Sequence, residues 1–343
     1  GGAGMTGSSL NLTVVLPTRG DQKRLGRSLP RLCEALVALR ARAPEAGEAE
    51  IVVVDDSGVG AAAAALPEIL ATLDRGSVEV SIRTVCTERS LGFGPAVMRG
   101  ARDAVGAHLL VLHDDVLVDA DGIAALLDVL HAEPTIFAAA PTLLRPAAPD
   151  SPPDSPPARV PARVVLLEDD WLRVREDSEA SAGAASVNSI GGQRAVDVEV
   201  IPSAAVLVRR GEFLDLGGFD RLFGPATLED VDLSMCARRR GRRLVEVLGA
   251  EALHLDLGDG LGELLEAPAA RALVARNRLL LRWKHLSTRT DAADHLVGLW
   301  RTALEAGLTG DRETLEGIAL AMDRLGEMAE SRATLRGVAP MEL

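Results

Sequence analysis

The chain has 343 residues, 47% apolar and 25% charged, proportions that fit globular domains and exclude a fibre or a disordered polymer. Aromatic residues make up only 2%, with no tyrosine, so the core must be aliphatic and a groove lined with stacking rings is excluded. A net charge of −13 without a polybasic tail argues against a long nucleic-acid backbone as the main partner.

The three cysteines (Cys33, Cys86, Cys236) are odd in number and follow no metal-ligand spacing, which points to free thiols in a reducing, cytoplasmic compartment. Gly1 to Ser9 lacks the basic and apolar blocks of a signal peptide, and Gly1 to Gly4 ahead of Met5 reads as a tag remnant, so residues 1–9 are expected to be disordered. No stretch approaches the roughly 18 consecutive apolar residues of a membrane span.

From Leu12 to about Ala140, short β-rich runs alternate with helical periodicity, the mark of stacked βαβ units on a mostly parallel sheet. Leu12 to Leu16 is the first run. Leu25, Leu29, Leu32, Leu36 and Leu39 then stripe one face of a helix. Ile51 to Val54 is a continuous apolar run ending in Asp55 and Asp56, as expected of a buried strand that delivers polar groups at its carboxyl end. Val78, Val80 and Ile82 alternate as a strand. Ala107 to Leu112 forms another strand, running into His113, Asp114 and Asp115, and Gly122 to His131 reads as a helix.

Between Arg145 and Arg163 stand seven prolines, so this stretch is expected to be a loop or linker and neither a helix nor an inner strand. The Ser, Ala and Gly-rich piece from Ser178 to Ser189 extends the irregularity, with regular structure resuming near Val196. Val196 to Val208 reads as strand, Thr227 to Arg240 as helix and Leu244 to Leu248 as strand. Beyond Ala267 the chain reads as helix, broken near Ser287 and Gly310.

Asp114 and Asp115 at a strand end can hold a hard cation, although a single acid pair is as readily a solvated turn. Gly92, Gly94 and Gly100 allow close backbone approach before a helix, but their spacing is not that of a dinucleotide fingerprint. Gly217, Gly218, Phe219 and Asp220 precede Glu229, Asp230 and Asp232, which open a helix. Acids there serve the macrodipole, and Asp230, entering from the turn at Gly224 and Pro225, is placed to act as a general base.

In order and spacing, these pieces resemble the family 2 glycosyltransferases over about Leu12 to Leu286. The resemblance runs through Pro17-Thr18-Arg19, the VVVDDSG segment at Val52 to Gly58, SLGFGPAVMRG at Ser90 to Gly100, LVLHDD at Leu110 to Asp115, and GGFD at Gly217 to Asp220. It continues through the EDVDL helix, His254 and the run from Arg276 to Lys284. It implies an α/β GT-A (Rossmann-like) fold, a mostly parallel sheet flanked by helices, with a helical C-terminal extension. The implied organisation is a catalytic domain over 10–264, with 145–195 as a Pro-rich variable loop or lid, and a helical region over 265–343.

The resemblance also implies roles. Pro17, Thr18, Arg19, and Asp55 or Asp56 would hold base and ribose, with Gly92, Arg99, His113 and Asp114 on the donor side. Asp115 and His254 would bind a divalent metal. Asp230, beside Glu229, would be the catalytic base of an inverting transfer from a UDP- or dTDP-sugar to an unidentified hydroxyl acceptor. Gly218, Phe219, Asp220 and Trp171 would face that acceptor. His113 stands where the family motif opens with an acid. Imidazole suits Mn²⁺ better than Mg²⁺, so manganese is favoured. The rival expectation, prompted by His113, Ser90 and Met98, is a nucleotide-sugar binding or scaffold protein without turnover.

Six basic residues and no acid lie from Arg271 to Arg289, interleaved with Leu279, Leu280, Leu281 and Trp283. The expected arrangement is a helix packed on the catalytic domain with a solvated basic side. The alternative is peripheral docking on an anionic bilayer at the inner face of the membrane. Two amphipathic stripes, Leu296 to Leu308 and Leu315 to Leu325, are expected to form a helical hairpin that covers the domain or joins a homodimer.

Overall fold

The computed structural model describes residues 12–42, 49–73, 80–147, 155–168, 171–177, 187–225, 227–255 and 267–335. The chain opens with β1 (Leu12–Thr18), α1 (Gln22–Arg42), β2 (Ala49–Asp55), α2 (Ala61–Leu70), β3 (Ser81–Cys86), α3 (Phe93–Asp103) and β4 (His108–Leu112). The four strands pair in parallel in the order β3-β2-β1-β4. All of β1 is buried, because helices cover both faces of the sheet. Val14 and Leu16 join the α1 leucines in one apolar layer, and Val15 joins Ala96, Val97 and Ala101 of α3 in the other. The alternation of side chains along a strand thus divides one sequence run between two cores.

The second half adds β5 (Val116–Val118), α4 (Ala120–Ala132), β6 (Ile136–Arg145), β7 (Ala158–Arg159), β8 (Ala162–Glu168), β9 (Trp171–Asp177), β10 (Asn188–Ile190), β11 (Gln193–Asp197), β12 (Ala205–Arg209) and α5 (Arg210–Asp215). A 3₁₀ turn at Arg221–Phe223 leads to α6 (Glu229–Arg239), β13 (Arg243–His254), α7 (Ala267–His285), α8 (Arg289–Thr309), α9 (Arg312–Met322) and α10 (Leu325–Ala333). The large sheet runs β10-β11-β13-β6-β12-β4-β1-β2-β3, and β12 lies antiparallel to both β4 and β6. That reversal opens a crevice at the carboxyl end of β4, where an open α/β sheet binds its ligands.

Three expectations are corrected here. The segment expected to be loop contains β7, paired to the edge of β6, and the hairpin β8–β9, in which Ala162 faces Asp177 and Glu168 faces Trp171. Most of its prolines precede Ala158, and the run ARVVLLE after Pro161 has ordinary strand chemistry. The span Val196 to Val208 is two strands, because the chain leaves the sheet around Pro202. Regular structure also returns at Asn188, earlier than expected. Val78, residues 148–154, 169–170 and 178–186, and the N-terminal residues 1–9 lie outside the described residues.

Only half of the basic run from Arg271 to Arg289 is solvated, with Arg271, Arg278 and Arg289 exposed. Arg276, Arg282 and Lys284 are buried. Arg282 pairs with Asp291, and Lys284 Nζ lies 2.8 Å from Asp220 Oδ2 and 2.7 Å from Asp232 Oδ2. His285 Nε2 sits 2.8 Å from the other oxygen of Asp232. Asn277, fully buried, donates to the carbonyls of Phe223 at 2.8 Å and Thr227 at 3.0 Å, and Arg276 donates to that of Gly224. α7 therefore grips the loop that leads into α6. Replacing Lys284 by Met strands the Asp232 carboxylate in the interior, and should cost about 3–5 kcal/mol in urea unfolding.

The expected hairpin exists as α8 and α9, but its first stripe points outward. Leu296, Val297, Trp300, Leu304 and Leu308 are exposed, while Leu299 is buried. Among the described residues, no helix is long and apolar enough to cross a membrane.

At the opposite end of the sheet, Glu50 of β2 accepts from the Thr13 hydroxyl at 2.6 Å, the Val105 amide at 2.8 Å and Arg83 Nε at 3.0 Å. Burial alone would raise its pKa, but these bonds outweigh it and hold the carboxyl below the usual range. Its stabilising effect is present above the unfolded-state pKa and fades as pH falls through the native value. Glu50→Gln should cost roughly 2 kcal/mol at pH 7 by urea denaturation, and less as the pH approaches 3.

Candidate active site

The crevice is built on the ends of β1, β4, α6 and β13. β4 ends at Leu112, and the following turn presents His113, Asp114 and Asp115. β13 runs antiparallel to β5 with His254 opposite Val116, which returns the His254 imidazole to that turn. His254 Nε2 lies 3.0 Å from Asp115 Oδ1, and the rings of His113 and His254 stand edge to face at 5.5 Å. One donor atom from each of His113, Asp115 and His254 falls within 4.8 Å of the others.

His113 is pushed down to about 4, by burial first and then by the neighbouring His254, so its ring is neutral at pH 7. Its Nε2 is buried without a hydrogen-bond partner among the described residues. A buried imidazole nitrogen with a free lone pair, beside a carboxylate and a second imidazole, fits a divalent transition ion. Burial alone would raise Asp115. The hydrogen bond from His254, with the electrostatic pull of His254 and Arg24, outweighs burial and holds the carboxyl below its usual range. Arg24 of α1, not singled out from sequence, sits 3.8 Å from Asp115 Oδ2. Asp114 is pushed up to about 6 by burial, while Thr18 Oγ1 donates to it at 2.6 Å.

Pro17 and Thr18 close β1 beside this turn, and Arg19 is exposed just beyond. The two acids after β2 are already engaged. Asp55 accepts the amides of Ser57 at 3.1 Å and Ala63 at 3.0 Å. Asp56 accepts the hydroxyls of Thr87 and Ser90, both at 3.0 Å, and the amides of Leu91 at 2.8 Å and Gly92 at 2.9 Å. Four donors saturate a carboxylate. In this structure Asp56 is the clasp of the glycine-rich loop. Arg99 points away on α3, 3.8 Å from Asp103.

Gly92 adopts φ +88°, ψ 168°, a conformation essentially reserved for glycine. A β-carbon there would lie 2.2 Å from the Pro225 carbonyl oxygen, so the glycine-rich loop and the loop before α6 touch backbone to backbone. Thr227 and Leu228 take left-handed φ values of 78° and 69°. That is why α6 starts at Glu229, two residues later than the sequence pattern indicates.

Asp230 is buried at the start of α6, close enough to His113 for its charge to be felt there. Its Oδ1 accepts the Val231 amide at 2.8 Å, and its Oδ2 takes Arg163 from β8 and the Ser203 amide at 3.4 Å. Burial lowers the Arg163 pKa, but the charge and hydrogen bond of Asp230, with the charges of Glu229 and Glu176, together outweigh it. Glu229 is pushed up by burial and by Asp230 beside it, and its Oε2 has no partner among the described residues.

Three of the residues expected on the acceptor side are engaged within the protein. Phe219 is in the core, Gly218 packs on Met98, and Asp220 is bound to Lys284, Ser331 and the Leu222 amide. Trp171 opens β9, and its side chain lies outside the described residues. The cavity beside Asp230, about 210 Å³, is instead lined by Val160, Arg163, Glu176, Val198, Ser203 and Glu246, among others. Sequence reading missed Arg163 because it closes the proline-rich stretch. The alternating run that follows it was the available signal.

The comparisons with known proteins agree with this architecture. The model described as "Glycosyl transferase family 2" matches residues 13–154. Over residues 13–154 the chain resembles the family 2 glycosyltransferases. Among solved structures, it is similar to GalNAc-T7 with UDP, GalNAc and Mn²⁺, at 15% identity and a TM-score of 0.57, over 80% of this chain and 48% of that one. It therefore spans about half the length of that relative. It is also similar to the mannosyltransferase PcManGT from Pyrobaculum calidifontis, solved with GDP-Man and Mn²⁺, at 16% identity and a TM-score of 0.51, covering 96% and 86% of the two chains. TarS 1–349 of S. aureus with UDP-GlcNAc gives 15% identity and 0.50, covering 94% and 88%. At these identities the likeness shows the shared GT-A fold. No curated protein sequence matches the chain. The family segment covers β1 to β6 and includes Asp115, whereas Asp230, His254 and Lys284 lie beyond it.

Proposed function

We propose that the chain is an inverting glycosyltransferase that moves a sugar from a UDP- or dTDP-sugar to an acceptor hydroxyl, with Asp230 as general base. The observation that carries this reading is the convergence at the end of β4: His113 Nε2 buried and without a partner among the described residues, Asp115 and His254 beside it, and the Asp230 carboxylate nearby. Of the similar folds, two were solved with nucleotide sugars, GDP-Man and UDP-GlcNAc, and one with UDP and GalNAc, and two of the three hold Mn²⁺, which supports a nucleotide sugar and a divalent ion here.

His113, Asp115 and His254 would hold the divalent ion, with Mn²⁺ favoured over Mg²⁺ because two of the three ligands are imidazoles. When bound, such an ion neutralises charge growing on the leaving diphosphate. Asp114 and Thr18, joined at 2.6 Å, lie where the ribose and donor sugar would sit. The acceptor enters the cavity at Asp230. Its hydroxyl proton passes to Asp230 Oδ2 as the oxygen attacks the anomeric carbon from the face opposite the diphosphate, which inverts the configuration. Glu229, kept neutral by burial, adds no second charge beside the base. The three cysteines are free, consistent with work in a reducing compartment.

The turnover-deficient binding protein has one observation in its favour, the Arg163 contact on Asp230. Nucleotide release from a panel of UDP-, dTDP- and GDP-sugars, with Mn²⁺, with Mg²⁺ and with chelator, separates the two. Release from a UDP- or dTDP-sugar, strongest with Mn²⁺ and abolished by chelation, is the expected result. Calorimetric binding without release from any donor would leave only the binding protein.

A further inference from the structure

Asp230 lines the cavity together with Arg163, which holds its Oδ2, so this oxygen of the base is covered. Arg163 comes from β8, where it stands directly opposite Glu176 of β9. Residues in that relation share a face of the hairpin, with β-carbons about 5 Å apart. Glu176 also lines the cavity, and its charge acts on Arg163. The remaining acid of the cavity, Glu246, is engaged by Arg159 and the Thr142 hydroxyl. Glu176 makes no ion pair among the described residues, and it is exposed. Arg163 keeps a second anchor, the Ile201 carbonyl at 3.3 Å, and its backbone bridges to Val200, so the guanidinium pivots from a fixed strand.

We propose that Arg163 is a positioning residue that exchanges between two carboxylates, Asp230 in the empty enzyme and Glu176 once an acceptor hydroxyl occupies the cavity. Held on Asp230, it prevents the base from activating water, and so protects the donor sugar from hydrolysis. Moved to Glu176, it leaves Asp230 Oδ2 to the acceptor. A cross-strand partner offsets the charge that the guanidinium would otherwise leave unpaired. The proposal rests on Asp230 being the base.

The side reaction it suppresses is simple. A water oxygen bonds to the anomeric carbon while the carbon–diphosphate bond breaks, the proton passes to Asp230, and the electron pair leaves on the diphosphate. The test is acceptor-free release of nucleotide from the donor found active, with Mn²⁺, and calorimetric affinity for that nucleotide as the check on folding. Arg163→Met should raise release about tenfold over wild type, and Asp230→Asn in the same chain should remove the gain. Glu176→Gln should leave release at or below wild type. The double variant Arg163→Met with Glu176→Gln should equal Arg163→Met, because Glu176 acts only through Arg163. Should Arg163→Met fail to fold, Arg163→Lys supplies the test with a smaller rise.

Release by the Arg163 variants at or below wild type, with nucleotide affinity kept, overturns the exchange and leaves the base assignment standing. A rise in Glu176→Gln alone overturns it as well. A rise in Arg163→Met that survives Asp230→Asn in the same chain removes the base assignment, and this proposal falls with it.

Discussion

Asp230→Asn should lower sugar transfer by about 10²–10⁴-fold at saturating donor, while nucleotide affinity with Mn²⁺ stays within a factor of two or so of wild type. The amide keeps the shape of the carboxylate and its place at the head of α6, but it takes no proton from an attacking hydroxyl. The donor side stands on different elements, the ends of β1 and β4 and His254 of β13, so binding survives. The measurement pairs initial rates of transfer with calorimetry. A variant that transfers within tenfold of wild type would move the base role elsewhere, with Glu229 the next residue to replace.

Gly92→Ala is expected to damage both halves of the site at once. The backbone conformation at Gly92 is nearly closed to any residue with a side chain, and the added β-carbon would press on the backbone of Pro225 at 2.2 Å. Strain and overpacking together should cost roughly 2–6 kcal/mol in urea unfolding. Because the Gly92 amide also closes onto Asp56, the variant should lose nucleotide affinity and turnover together. A loss of stability under about 1 kcal/mol with full activity would show that the two loops have more room than their contact implies.

Much of the first half was legible because strands covered on both faces leave unbroken aliphatic runs, and α1 leaves a clean stripe of leucines. The resemblance singled out Asp115, His254 and Asp230 by motif order, and the structure sets all three near His113. What remained hidden depended on partners distant in sequence. Nothing local says that Asp56 faces four donors across the glycine-rich loop, or that Phe219 and Asp220 turn into the core and toward α7. The basic run on α7 looked like a surface because Arg and Lys are normally solvated. Their carboxylate partners are near at hand for Arg282 but 52 residues away for Lys284 and Asp232. The β8–β9 hairpin was masked by prolines that end just before it.

The grip of α7 on the approach to α6 bears on how such chains can be recombined. A chimaera joined just after His254 would inherit an α6 whose Asp232 has lost its Lys284 counter-charge, and whose preceding loop has lost the Asn277 amide. A graft that keeps Asn277, Lys284 and His285 with their own α6 transfers the whole fitted unit. The seam that preserves this unit runs through α8, where most side chains are exposed, rather than at the boundary where sheet gives way to helices.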